Sequence, residues 1–508
     1  MTCTGMRHTR SVSRTTVVVM SLLVLVACNS SKGVTTESTP TTSGGTTSRT
    51  EAVRSWSSDI EWTACGDGLQ CGSFDVPLDY SVPSAGVFTL PIVKHVATAT
   101  NSRIGSLLIN PGGPGGAALD FARYADSIFS DTLLERFDIV AWDPRGVGGS
   151  VPSIDCVDSM DDYFALDPSP DDEIETEDLL SGARAFVDGC RKRSGTILDH
   201  VSTVDAASDI DVLRRALGEK TISYFGFSYG TQLGATWASL FPETVRAATL
   251  DAAVDPTLGY VDGLVQQAAG FESSLDAFFD WCDANQCDYI DEGSDARTSF
   301  DTLVDSLNSS PLVNDDRPPT NEGVLGIAAA QALYSQSMWS SLAMNLSAAQ
   351  DGDGAGLLTM FDEYFGGYTG GHLDNLIDAY FVISCSDRDT NVSPEEILGL
   401  KDRLASVAPR LGSGWIQEML ICAHWPSTPD DKPVIGADTS SRIVVVGSIG
   451  DAATPLTGTR NMVRQLGHAR LIVSPLEQHT TYGSDDCVTA EVDEYLVNLT
   501  DGPDELDC

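Results

Sequence analysis

The pentapeptide Gly226-Phe227-Ser228-Tyr229-Gly230 sets a serine between two glycines. The run before it, Thr221 to Phe227, reads as a β-strand; the run after it, about Gly230 to Leu240, reads as a helix stopping before Pro242. A serine on such a strand-to-helix turn stands above the sheet, with the helix N-terminus beside it to receive a developing negative charge. A serine hydroxyl is a weak nucleophile, so this chemistry requires a base and an acid that orients the base. Of the seven histidines (8, 95, 200, 372, 424, 468 and 479), His479 is the best base, on a loop just past the apolar run Arg470–Val473. Asp451 follows the strand-like Arg442–Val446 and is the matching acid. His424 and Asp387 stand in reserve.

A tetrahedral intermediate also needs donors for its oxyanion. The loop Asn110-Pro111-Gly112-Gly113-Pro114-Gly115-Gly116 follows an apolar run and carries no lysine, so it is unsuited to phosphate. Its backbone amides suit an oxyanion hole, with Gly113 N–H and Tyr229 N–H as the expected donors and Gly112 as the alternative to Gly113.

These residues must be held by elements, and the elements alternate. Ile104–Asn110, Phe137–Trp142, Thr221–Phe227, Ala247–Leu250, Arg442–Val446 and Arg470–Val473 read as strands, and Asp205–Leu217 as a helix with apolar residues at 206, 210, 213 and 217. Strands alternating with helices imply an α/β protein with a mostly parallel sheet covered on both faces. The chain order Ser228, Asp451, His479 is the α/β-hydrolase order. Between about 257 and 435 the rhythm gives way to helical spacing, read as a cap over the carboxyl ends of the strands. The core then comprises 56–256 and 436–508.

The chain has 508 residues, with 30 Lys+Arg against 73 Asp+Glu and a formal charge of -43. That balance argues against nucleic acid as a partner and against an anionic membrane surface. Arg7, Arg10 and Arg14 precede the apolar run Val17–Ala27, which is the pattern of a signal peptide over 1–27. Residues 29–50 hold 13 Ser or Thr in 22 positions, so 28–55 reads as a flexible tether. Leu25-Val26-Ala27-Cys28 resembles a bacterial lipobox, which implies lipidation at Cys28 and anchoring at the outer face of the cell membrane. Cleavage there removes three arginines and no acid, taking -43 to -46.

Ten cysteines remain in the exported chain, and an even number outside the cytoplasm favours disulfides. Pairing of sequence neighbours is the expectation, although spacing alone leaves the connectivity open: Cys65 with Cys71, Cys156 with Cys190, Cys282 with Cys287, Cys385 with Cys422, and Cys487 with Cys508. No C-x-x-C occurs and histidine is scarce near these residues, so neither a metal nor any other cofactor is expected.

Taken together, N-P-G-G-P-G-G, F-D-I-V-A-W-D-P-R-G-V-G-G-S (137–150), Y-F-G-F-S-Y-G-T-Q-L-G (224–234) and L-D-A-A-V-D-P (250–256) resemble the secreted tripeptidyl aminopeptidases of actinobacteria, relatives of proline iminopeptidase. Ile383–Asp387, Cys422–Pro426 and Gly450–Pro455 continue the likeness, which covers the chain from about Trp56 onward. The resemblance implies release of short peptides from substrates with a free N-terminus. A monomer is the default expectation, with membrane contact only through the lipid at Cys28. One departure is Ala117-Ala118, where many members carry serine or another small residue; it alters loop packing. The triad is chemically indifferent to amide or ester, so a carboxylesterase or lipase is the alternative. Glu272, Asp276, Asp283 and Asp362 in the cap are candidates for the substrate ammonium. Trp425 is placed either near the acyl pocket or in a hydrophobic corner pinned by a disulfide.

Overall fold

The computed structural model describes residues 44–366, 374–388, 391–426 and 434–508. The signal peptide, Cys28 and the tether up to residue 43 lie outside the described residues. Ten strands form one sheet: β1 (Thr63–Gly66), β2 (Leu69–Pro77), β3 (Val87–His95), β4 (Gly105–Asn110), β5 (Phe137–Trp142), β6 (Ile222–Phe227), β7 (Val245–Asp251), β8 (Ile443–Ser448), β9 (Ala469–Ser474) and β10 (Glu505–Asp507). Their order is β1-β2-β3-β5-β4-β6-β7-β8-β9-β10. From β5 to β10 every neighbouring pair is parallel, whereas β1, β2, β3 and β5 pair antiparallel.

All six strands expected from the sequence form. Their residues are buried almost throughout, which is why they read as continuous apolar runs. Successive residues go to opposite faces. Leu108, Val140, Tyr224 and Val445 enter the core under helices such as Thr203–Ala216 and Tyr229–Leu240. Leu107, Ile139, Phe225 and Val444 enter the core shared with helix Asp486–Asn498. Strands β1, β2, β3 and β10 carry no such signature: β1 is exposed, β2 and β3 are only partly buried, and β10 has three residues.

Between β7 and β8, nine helices from Tyr260–Asn285 to Gly412–Ala423 occur among the described residues. They have a core of their own around Phe278, Phe279, Phe300 and Trp339. The segment after β5, which the sequence reading places in the hydrolase core, packs against them as well as against the core under the sheet. Tyr163 Oη donates to Gln417 O at 2.6 Å, Gln417 Nε2 donates back to Tyr163 O at 2.7 Å, and Phe164 stacks on Phe381 at 5.5 Å. The helix Glu173–Ser194 then packs on Gly412–Ala423. The tether reading also needs correction at its end, because Gly44–Ser55 is a helix. Val53 is fully buried and Arg215 Nη2 donates to its carbonyl at 2.8 Å, which suits a helix C-terminus. One buried apolar side chain in a Ser/Thr-rich stretch leaves almost no periodicity to read.

All five neighbour disulfides form. Arg145 of the D-P-R-G turn has a fully buried side chain and bonds Asp209 Oδ2 at 2.8 Å and the carbonyls of Leu78 and His200 at 3.2 and 2.8 Å. Tyr80 Oη also donates to Asp209, at 2.7 Å. A buried ion pair stays ionised only when its remaining polar atoms are satisfied, and here they tie the turn after β5 to helix Thr203–Ala216.

Candidate active site

The loops after β4, β6, β8 and β9 meet at the carboxyl ends of the parallel strands, where ligands bind in such sheets. Ser228 follows β6 with φ 55 and ψ -124, a sharp turn that enters helix Tyr229–Leu240 directly. The glycine-rich loop after β4 leans against it. A Cβ on Gly112, at φ 103, would stand 2.6 Å from Phe227 O and 2.8 Å from Ser228 Cβ. Gly112 N–H is already donated to Asn110 Oδ1 at 3.1 Å, which favours Gly113 as the oxyanion donor in this loop. Gly113 and Tyr229 line one cavity together with Ser228.

Asp451 follows β8 and His479 follows β9. The imidazole Nδ1 lies 2.9 and 3.0 Å from the two carboxylate oxygens. The amides of Ala453 and Thr454 and the Thr454 hydroxyl also donate to Asp451, at 2.9, 2.8 and 2.8 Å. This fan of donors holds the carboxylate in place, and its contact with Nδ1 fixes the imidazole tautomer that leaves Nε2 bare. Burial alone would lower the His479 pKa; the charge and hydrogen bond of Asp451, with a further contribution from Asp251, outweigh it and raise the value. Among the described residues Ser228 Oγ makes no hydrogen bond, so the serine–imidazole contact is open in this conformation. Catalytic hydrogen bonds of this kind tighten when substrate binds.

The base loop is also gripped from the cap. Tyr334 O accepts the His479 N–H at 2.9 Å, and its ring meets the imidazole edge-on at 5.3 Å. Tyr334 lines a cavity of about 440 Å³ that extends from Gly113 into the cap, past Phe271, Tyr364, Tyr380 and Trp415 to Glu418. Gly113 and Tyr380 line the Ser228 cavity as well. Tyr380 Oη donates to Glu418 Oε1 at 2.6 Å, and among the described residues neither arginine nor lysine pairs with this carboxylate. Burial pushes the Glu418 carboxyl up to about 7, against the lowering effect of the Tyr380 hydrogen bond.

The four cap acids singled out in the sequence are engaged elsewhere. Glu272 pairs with Arg410 at 3.1 Å, Asp276 with Arg297 at 3.0 Å and Asp362 with Arg317 at 2.7 Å, while Asp283 accepts the Ala296 amide at 2.8 Å. Neither reserve residue reaches the imidazole. Asp387 accepts the Thr203 N–H at 2.9 Å on the wall of the Ser228 cavity, and His424 Nε2 is buried without a partner. Trp425 packs in the core beside Cys422, and its carbonyl accepts Arg388 Nη2 at 2.7 Å, which makes it the disulfide-pinned corner. Among the described residues the one group with metal-ligand spacing is Asp485, Cys487 and Cys508, and both of its sulfurs are in a disulfide.

Sequence reasoning missed Glu418, Tyr334 and Asp251. The first carried a signal, as the lone acid in the helix G-S-G-W-I-Q-E-M-L-I-C-A.

The α/β-hydrolase fold family model matches residues 105–482. The chain is 31% identical over 473 residues to the serine protease Hip1 of Mycobacterium tuberculosis, covering 88% of this chain and 91% of that one. It is 33% identical over 475 residues to carboxylesterase B of the same species, covering 90% of each. It is 32% identical over 486 residues to the tripeptidyl aminopeptidase of Streptomyces coelicolor, covering 90% and 86%.

Proposed function

The chain belongs to the α/β-hydrolase family, and we propose that it is a serine exopeptidase that releases short peptides from substrates with a free N-terminus. The observation that carries this reading is the Glu418 carboxylate, without a basic partner among the described residues, in a cavity that begins at the oxyanion loop. A carboxylate held in an apolar, aromatic pocket favours a cation, and a peptide's terminal ammonium is the cation that the bond-breaking site would measure from. A cavity of about 440 Å³ falls in the range that encloses a small ligand, so it limits the released fragment to a few residues. The serine protease and tripeptidyl aminopeptidase relatives support the same substrate class.

In this mechanism His479 Nε2 takes the Ser228 proton while Asp451 steadies the imidazole. Ser228 Oγ attacks the scissile carbonyl, and the amides of Gly113 and Tyr229 receive the oxyanion. His479 then protonates the departing amine, and a water activated by the same ring hydrolyses the acyl-enzyme. The test compares a tripeptidyl p-nitroanilide with its amine free or acetylated, alongside a short-chain p-nitrophenyl ester. Turnover of the free-amine anilide but not of its acetylated form, lost in Ser228→Ala, is the expected result. Glu418→Gln should raise KM for the free-amine substrate by about tenfold or more and erase the preference over the acetylated one. Hydrolysis of the ester alone would favour the second reading, a carboxylesterase, which the relative of that name supports.

The protein is further proposed to be an exported lipoprotein, with Cys28 as the lipidated residue. Among the described residues no helix is long and apolar enough to cross a membrane. If Cys28 carries the lipid, Cys28→Ala should shift the protein from the membrane fraction to the medium, and equal membrane retention would refute the anchor.

A further inference from the structure

We infer that Asp251 is a positioning residue for the base: its carboxylate, at the end of β7, clamps the loop that carries His479 and adds negative charge to the surroundings of that loop. This rests on the serine-hydrolase reading and extends it to a second acid. Asp251 Oδ2 accepts the N–H groups of Thr481 and Tyr482 at 3.0 and 2.9 Å. Its backbone carbonyl accepts the Ser228 N–H at 2.9 Å. One residue thus bonds both the nucleophile turn and the base loop.

Both joints around this clamp are held in backbone conformations that side chains disfavour. Thr480, directly after His479, has φ 64, and Ala252, directly after Asp251, has φ 63. Such conformations persist only where their surroundings over-determine them, and the two hydrogen bonds to Asp251 do so here. A neutral carbonyl would serve two amides equally well. Among the described residues no arginine or lysine pairs with this fully buried carboxylate, so its charge would be costly without a further use. The cation it can serve is the imidazolium that forms when His479 takes the serine proton.

The imidazole meets Asp451 on the loop after β8, the Thr454 hydroxyl beside it and the Tyr334 ring from the cap, and it feels the charge of Asp251 on β7. Glu477 is the nearby acid on the base loop itself. Asp251 in turn faces the charges of His479 and Asp451, and burial pushes its carboxyl up to about 6, partly offset by the two amides.

The test uses Asp251→Asn and Asp251→Ala in the full chain, with Ser228→Ala as control, assayed on the free-amine anilide and the ester. Asparagine can still accept both amides but lacks the charge that stabilises the imidazolium. The acid limb of its kcat/KM profile should therefore move to lower pH, by about half a unit or more, with the thermal midpoint little changed. Asp251→Ala should lose roughly tenfold or more in kcat, with KM within about twofold, because a displaced base costs rate rather than binding. If the alanine variant does not fold, the asparagine limb decides alone. An unmoved limb in an enzyme that Ser228→Ala silences would overturn the role of Asp251 only. Full activity in Ser228→Ala would overturn the serine reading beneath it.

Discussion

A serine held at φ 55 costs about 1–3 kcal/mol of backbone strain, and the strain is what lifts the hydroxyl clear of the sheet toward the base. His479 is useful only while neutral, so the raised pKa has a direct consequence. The acid limb of kcat/KM should have its midpoint above the ordinary histidine value of about 6.5, with activity lost as the pH falls through it. Asp451→Asn removes the first-named cause of the rise and the tautomer control together. It should move that midpoint down and cost kcat roughly ten-thousandfold, read from a pH–rate series on the anilide. The proposed acid, base and nucleophile are legible in the sequence as candidates because each follows an apolar strand in a fixed order. Glu418 is not: its meaning comes from Tyr380 and the cavity, which lie on other helices.

At the level of elements, the glycine-rich loop after β4 is shaped by what passes on either side. A Cβ on Gly115 would lie 2.4 Å from Leu376 O, so the cap helix Leu376–Asp387 can approach only a glycine there. On the other side Gly112 abuts the nucleophile turn. Gly112→Ala should push the Ser228 turn aside and strain a positive φ, costing about 1–3 kcal/mol in stability and most of the turnover. Thermal melting together with fluorophosphonate labelling of Ser228 would read both effects; wild-type labelling would contradict the packing described here. The parallel strands are legible because burial on both faces makes them uniformly apolar. The antiparallel β2 and β3 are not, since their partly buried pattern, broken by Pro91, resembles loop as much as strand. The packing of the helical segment after β5 on the cap is not legible either, because its partners, Gln417 and Phe381, are more than 200 residues further along the chain.

For the whole molecule, the cap must stay in register with a sheet to which it is joined at distant points. Cys385–Cys422 links the helix carrying Tyr380 to the helix carrying Glu418 and closes a separation of 37 residues; Cys156–Cys190 closes one of 34 in the segment after β5. Loops of that length correspond to about 4 kcal/mol each in the chain-entropy model. Reduction should lower the thermal midpoint and erode the free-amine preference before ester hydrolysis falls, because the proposed amine site spans the cap while the proposed triad sits on the sheet. Equal loss of both activities would place the site elsewhere. The most direct test of an N-terminus-measuring serine peptidase is the intact mass of the protein acid-quenched during turnover of an unmodified peptide. The predicted result is an adduct equal to a short N-terminal fragment, located on Ser228 and absent when the peptide is acetylated. No adduct on Ser228, or an adduct that forms regardless of the substrate's amine, would contradict it.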